Sequence, residues 1–307
     1  MNDEPARHRA LFLSSGDVIA DRRFAHAAGY VARGDFLAAH DLLTQTLELV
    51  PDWAAAWFAL GEACLALGQQ EQARAAYARA LAVAPEDALG ASLKLAELGA
   101  APPAHAPEAY VRSLFDGYAD RFETHLVDRL AYRGPQLLAA AVARLGRREF
   151  SQAIDLGCGT GLCGEIFRAS VRQLAGVDLA PRMIARAKAK GVYDRLAVDS
   201  LEHFLAGESA ASADLLLAGD VLIYIGDLAP LFGAAFRALR SDGLFAFTVQ
   251  KTGSGFHLGA DLRFAHAGSY IRGTASHTGF ALRVLEPCVI RQDAGRDVAG
   301  LVVVLEK

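Results

Sequence analysis

Cysteine is scarce: the 307-residue chain holds four, Cys64, Cys158, Cys163 and Cys288. Cys158 and Cys163 stand at C-x4-C, and no second pair completes a zinc set. All four are expected to be small reduced residues, not metal ligands or disulfides. The nine histidines include no H-x3-H pair, and His257, His266 and His277 are too spread to argue for a metal. No apolar run approaches the length needed to cross a bilayer. Met1 to Arg9 is charged and lacks the apolar core of a secretory signal. A cytoplasmic protein, away from membranes, is expected. Neither sign of charge is in large excess: 31 Lys+Arg against 35 Asp+Glu give a net charge of −4, which argues against a broad nucleic-acid footprint. What the chain does have is 53% apolar and 21% charged residues, the balance of a globular protein with a real core. Its length favours two domains.

The central stretch is Ile154-Asp155-Leu156-Gly157-Cys158-Gly159-Thr160-Gly161. An apolar run from Ala153 to Leu156 ends in glycines at every second position, and a helical pattern starts near Leu162. This predicts a buried parallel strand, a tight turn and a helix N-terminus. Glycines there admit positive φ and close approach of a ligand to the main chain, with free amides of the next helix facing it. Gly159, Gly161 and Gly164 fit the dinucleotide pattern G-x-G-x-x-G. The longer pattern, Asp155-x-Gly157-x-Gly159-x-Gly161, resembles motif I of class I S-adenosylmethionine-dependent methyltransferases. That resemblance implies that Asp155, Gly157, Cys158, Gly159 and Gly161 hold the amino-acid end of the cofactor.

Upstream the chain repeats itself. Trp57, Leu60, Gly61, Cys64, Ala73, Tyr77, Ala80 and Pro85 fall at the offsets of a tetratricopeptide repeat, with Cys64 where an aromatic is usual. Shifting back by 34 residues gives Tyr30, Ala39, Leu43, Thr46 and Pro51, a degenerate copy with Arg23 and His26 in place of Trp and Leu. Leu89 to Leu98 reads as one further helix. So short a stack cannot bury its own apolar face, and docking on the second domain or on another copy is expected. The repeats serve either peptide binding or self-association. Gly99 to Pro107, with three prolines, reads as a stiff linker. The expected organisation is a helical repeat domain over 1–98, a linker over 99–107 and a methyltransferase domain over 108–307.

In that last part, Glu108 to Arg148 reads helical with a break at Gly134-Pro135. Within it, Leu114 to Phe122 resembles the segment that folds over the cofactor in many small-molecule methyltransferases. Tyr118 and Phe122, at i and i+4, share a helical face either for that purpose or for core packing. Strands and helices then alternate as in a doubly wound sheet. Asp178, at the end of the second strand and followed by Leu179, suits two ribose hydroxyls. Met183 would pack on adenine or in the core. Asp199 and Ser200 follow the third strand, where Asp199 would accept from the adenine amino group or cap the next helix. Gly219 to Leu228 resembles motif IV, with Asp220 and Val221 beside the cofactor and Tyr224 beside the transferring methyl. No N-P-P-Y is present, so adenine-N6 and glutamine substrates are not expected. Arg263-Phe264-Ala265-His266 lies in an insertion toward the substrate side. Ala281 to Arg291 and Val298 to Leu305 read as a closing hairpin with an antiparallel seventh strand.

The fold expected is α/β: a doubly wound, seven-stranded class I methyltransferase sheet behind an all-α tetratricopeptide-repeat domain. The resemblance implies S-adenosylmethionine as cofactor, S-adenosylhomocysteine as product, no metal, and a small-molecule or peptide substrate. His266 is the first candidate for a general base, because a neutral imidazole titrates near neutrality, and it would otherwise be structural. His125, Asp220 and Tyr224 are alternatives. Two other readings stay open: an interaction protein whose second domain only senses the cofactor, and a nicotinamide oxidoreductase, against which Asp155 and the motif IV phrase speak.

Overall fold

A computed structural model of the protein describes residues 14–293 and 295–307, so the charged stretch Met1 to Arg9 lies outside it. The chain forms two compact units, Met1–Ser113 and Leu114–Lys307.

The first unit is all-helical: α1 (Val18–Ala32), α2 (Phe36–Leu49), α3 (Ala54–Ala66), α4 (Gln70–Val83) and α5 (Ala91–Glu97). The repeat signature explains the local geometry. α2 and α4 end just before Pro51 and Pro85, which cannot continue a helix. The signature Trp57 donates its indole N–H to the Pro51 carbonyl at 2.7 Å, tying the second repeat to the end of the first. Gly61 lets α3 and α4 touch, since a Cβ there would stand 2.6 Å from the buried Tyr77 ring. Phe58 packs on the same ring at 5.3 Å. Cys64, in an aromatic's usual place, is 1% exposed.

The second unit is one mixed sheet with helices. The helix α6 (Glu108–Tyr118) spans the division between the units and is followed by a π-helical segment, Thr124–Arg129. The helical stretch breaks after Arg129, as expected near Gly134-Pro135, and α7 (Gly134–Ala143) restarts it with Pro135 in its first turn. Then come β1 (Phe150–Leu156), α8 (Leu162–Phe167), β2 (Val171–Asp178), α9 (Pro181–Lys190), β3 (Arg195–Val198), α10 (Leu201–Gly207), β4 (Ala213–Ala218), α11 (Ala229–Ala238) and β5 (Leu239–Lys251). β6 (Phe256–Leu258), β7 (Phe264–His266), α12 (Gly268–Thr278), β8 (Ala281–Asp293) and β9 (Arg296–Glu306) complete the chain.

The parallel strands run β3-β2-β1-β4-β5. β9 pairs antiparallel with β5 and with β8, so the C-terminal hairpin supplies the reversed strand. The sheet has nine strands where seven were expected. The extra two, β6 and β7, form a hairpin inside the 252–267 insertion, and β7 pairs with Gln250 and Lys251, the last residues of β5. Three-residue strands carry no usable periodicity, which is why this hairpin was not foreseen. The order of parallel strands reverses between β1 and β4. Their carboxyl ends, at Gly157 and Gly219, therefore flank a crevice at the switch point, where α/β sheets bind ligands. Gly61→Ala should cost the repeat unit about 1–3 kcal/mol of stability through overpacking against Tyr77, and so lower its unfolding midpoint. Both tryptophans, Trp53 and Trp57, lie in that unit and report it by fluorescence; an unchanged midpoint would mean the helices separate freely.

Candidate active site at the switch point

Asp155 closes β1 with no exposed surface. One carboxylate oxygen, Oδ2, accepts from the Tyr193 hydroxyl at 2.6 Å. The other, Oδ1, is buried with no partner among the described residues. Burial, reinforced by the Asp178 charge and opposed by the Tyr193 hydrogen bond, pushes the Asp155 carboxyl up to about 7.

Most amides of the turn after Asp155 bond within the protein. Gly157 and Cys158 donate to the Val177 carbonyl at 2.8 and 2.9 Å, and Gly161 donates to Cys158. Gly159 donates to Asp178 Oδ2 at 2.9 Å. The amides of Gly157, Cys158 and Gly159 brace the turn against β2, and that of Gly161 closes the turn on itself. The glycines are needed for close packing as well. Gly157 has φ +69, and a Cβ there would lie 2.3 Å from Val221. Gly159, at φ +54, would meet only the Phe122 ring, at 3.8 Å. So Val221 abuts the first glycine, Phe122 overhangs the second, and Cys158 is a buried thiol beside them.

Asp178 bridges two amides, taking Gly159 on Oδ2 and Ala180 on Oδ1, both at 2.9 Å. Desolvation raises its carboxyl to about 6 against those two bonds. Leu179 beside it is half-buried. Met183 is wholly buried with Ala119 and Ala180 under Phe115 and Phe122, so it forms the underside of the overhanging segment. Asp199 lies at the end of β3, but its carboxylate is taken by His203 Nδ1 at 2.7 Å and by the Ser200 amide at 2.8 Å. Ser200 stands at the N-cap of α10 without a side-chain capping bond.

The segment from Phe115 to His125 forms an aromatic ladder. Phe115 meets Phe122 edge-on at 6.0 Å and Tyr224 at 5.5 Å; Tyr118 meets Phe122 at 5.7 Å. The Tyr118 hydroxyl touches His125 Nδ1. Charges hold this segment on α9. Arg182, Arg186 and Lys190 recur every fourth residue, and they pair with Asp120 at 2.5 and 2.6 Å and with Glu123 at 2.7 Å. The Arg182 amide adds a bond to Asp116.

Across the crevice, Asp220 follows β4 at φ +57, strained for a non-glycine residue. Thr248 on β5 accepts its amide at 2.9 Å, and Arg291 on β8 donates to its carboxylate at 2.6 Å. Tyr224 is buried, and its hydroxyl is pushed up by burial, the neighbouring Arg263 opposing.

His266 is not at an open acceptor site. It has no exposed surface, and Nε2 lies 3.0 Å from the Gly226 carbonyl. Burial depresses its imidazole to about 4, against the pull of the Gly226 carbonyl. With Tyr270 stacked on it and bonded to Asp227 and to the Leu228 amide, it struts the loop after β4. Tyr193, Thr248 and Arg291 were missed in the sequence, because each reaches its partner from a distant strand or loop with no local pattern to mark it.

Comparison with known proteins agrees with this geometry. The family model of a methyltransferase domain matches residues 154–247, which hold the glycine turn, Asp178 and Asp220. The chain carries a methyltransferase domain. A tetratricopeptide-repeat model matches residues 30–98. A ubiquinone biosynthesis O-methyltransferase of Xanthomonas oryzae is 31% identical over 113 residues, 35% of this chain and 47% of that protein. A malonyl-[acyl-carrier protein] O-methyltransferase of Pectobacterium atrosepticum is 28% identical over 121 residues, 39% of this chain and 46% of that one. The chain thus spans about half the length of the curated relatives it matches. Among solved structures, a Burkholderia thailandensis N1-methyltransferase with bound S-adenosylhomocysteine matches with TM-score 0.52 at 17% identity, over 68% of this chain and 93% of that one. It shows that the methyltransferase domain has the class I fold. No helix among the described residues is long and apolar enough to cross a membrane.

Asp155 supplies a test of this methyltransferase domain without substrate. Its folded carboxyl titrates near 7, against an ordinary 3.8. Between those values the folded state holds a proton the unfolded chain has lost, so this group's contribution to stability falls as pH rises through that window. Asp155→Asn keeps an acceptor for Tyr193 and removes the loss. Its thermal midpoint without ligand should exceed wild type at pH 8, with the gain vanishing near pH 4. An equal gain at both pH values would mean the carboxyl is not raised.

Proposed function

We propose that this chain transfers a methyl group from S-adenosylmethionine to a small-molecule or peptide-like acceptor and releases S-adenosylhomocysteine. The observation that carries the reading is the buried, unpartnered Asp155 Oδ1 beneath a glycine turn at the switch point. A lone buried acceptor of raised pKa calls for a cationic donor, and the cofactor's amino group fits that need. Asp178 retains lone pairs for ribose hydroxyls beyond its two amide bonds. Leu179, Met183, Asp199 and Ser200 would flank the adenine, with Gly157, Cys158, Gly159, Gly161, Asp220 and Val221 along the rest. When bound, the cofactor supplies an electrophilic methyl on a sulfonium, so the acceptor's lone pair forms the new bond while the electrons of the broken C–S bond stay on sulfur.

The chain's own residues then position, desolvate and take a proton. Phe115, Tyr118 and Phe122 exclude water from above the glycine turn. His266 struts the loop that carries Asp220 and Tyr224. Asp220 is neutralised by Arg291, and burial keeps Tyr224 protonated, so neither suits a base. His125 remains. In the tautomer whose Nδ1–H donates to the Tyr118 hydroxyl oxygen, Nε2 carries the lone pair and would take a proton from the acceptor.

The tetratricopeptide match favours a second reading, in which the repeats bind a partner and the methyltransferase domain senses the cofactor. Cofactor binding with no turnover on any acceptor is its signature. Once an acceptor is found by mass spectrometry of methylated products, His125→Ala should cut turnover about a hundredfold near neutral pH. Affinity for S-adenosylhomocysteine should change little. Unaltered turnover would remove His125 from the mechanism.

A further inference from the structure

Beside Tyr224 stand two guanidinium groups, one of which keeps a buried donor without a partner among the described residues. Arg291 is 2% exposed, and its Nη1 is spent on Asp220. Its Nη2 is buried without a partner among the described residues. The side chain reaches this place because β8 slips register between Val289 and Arg291. Ile290 and Arg291 are both buried there, in breach of strand alternation. A bulge of this kind re-aims a side chain. The adjoining backbone is fixed: the Arg133 amide bonds to the Ile290 carbonyl at 2.9 Å, and the Gln292 amide to the Leu130 carbonyl at 2.6 Å.

The second guanidinium is Arg263, whose side chain is 28% exposed and which faces the Tyr224 hydroxyl. Its acidic neighbours lie toward solvent. Asp293 approaches to 3.7 Å but is 44% exposed, and Asp261 is exposed, bonded to the Arg263 amide rather than to its guanidinium. Asp220 is the one carboxylate buried with these two cations among the described residues. Asp220 thus answers Arg291 and the more exposed Asp293 answers Arg263, and the group left over is the buried Nη2 of Arg291, a donor without a partner among the described residues, costly unless a ligand satisfies it.

Resting on the methyltransferase reading above, we propose that the acceptor carries a carboxylate, held between Arg291 Nη2 and Arg263 beside Tyr224. With Asp220 and Asp293 already close, a monoanion is tolerated better than a phosphate ester, which carries nearly two charges. A planar guanidinium edge also matches a carboxylate in shape. The carboxylate is the handle and not the methylated atom. Its lone pairs are tied up by two cations, so it is a poor nucleophile there. The methyl goes to another nucleophile of the same molecule, such as a hydroxyl or an amine, whose proton leaves to His125.

The test is direct binding. The full chain, saturated with S-adenosylhomocysteine, is titrated calorimetrically with 3-hydroxybenzoate, salicylate and 4-hydroxyphenylacetate, each against its uncharged primary amide. The expected result is at least a tenfold preference for one or more carboxylates over the matching amide. Arg291→Lys keeps a charge opposite Asp220 but removes the free Nη2, and Arg263→Gln removes the second cation. Each should erase most of that preference while S-adenosylhomocysteine affinity stays within threefold. Wild type that binds S-adenosylhomocysteine but prefers no carboxylate overturns the inference alone. A preference that survives both substitutions overturns it too. Failure of wild type to bind S-adenosylhomocysteine would instead overturn the methyltransferase reading beneath it.

Discussion

Asp155 lies in a strand paired on both sides, with no exposed surface and only one of its two carboxylate oxygens bonded. Burying a carboxylate so incompletely satisfied works against folding, yet much around it supports the arrangement. Tyr193 crosses from the loop after α9 to bond it. The turn beyond it is braced on β2 by its own amides, and Val221 closes against Gly157 from the neighbouring loop. A half-satisfied acid held this firmly is the ground for the proposed cofactor site, in which a cationic amine would satisfy it.

The turn and the overhanging aromatics divide the work of holding such a ligand. The turn is rigid, because its amides are consumed within the protein. The Phe115–His125 segment is fastened mainly by surface charges, Arg182, Arg186 and Lys190 against Asp120 and Glu123. Exposed ion pairs are weak and screened by salt. The cover is thus the softer wall and the glycine turn the harder one, which suits a site that must admit a cofactor and then exclude water.

Much of this was legible in the sequence, and for definite reasons. The repeats declare themselves because each helix packs at fixed offsets, so Ala39 and Pro51 recur as Ala73 and Pro85, with Trp57, Gly61 and Tyr77 at the signature positions of the second copy. The central parallel strands β1 and β4 are largely buried and read as apolar runs, and the acids at the strand ends mark the carboxyl edge. What escaped depends on contacts between residues far apart in the chain. The β6–β7 hairpin is too short to show a period. Arg291 sits beside Ile290 in a strand whose alternation is broken by a register shift, and nothing near it shows that its guanidinium meets Asp220. His266 was placed near the substrate by the company it keeps, Arg263-Phe264-Ala265, whereas packing puts its imidazole inside, bonded to Gly226. The spacing of Asp199 suggests an adenine acceptor, and nothing local shows that His203, one helical turn on, shares its carboxylate.

The central claim is that the glycine turn, Asp155 and Asp178 form a site for an adenosyl sulfonium cofactor. Calorimetric titration of the full chain with S-adenosylhomocysteine and with NAD, on wild type and on Asp178→Ala, tests it most directly. The account predicts micromolar binding of S-adenosylhomocysteine, about −8 kcal/mol, weakened by the substitution, and no binding of NAD. Binding of NAD in place of the adenosyl compound, or of neither, would contradict it.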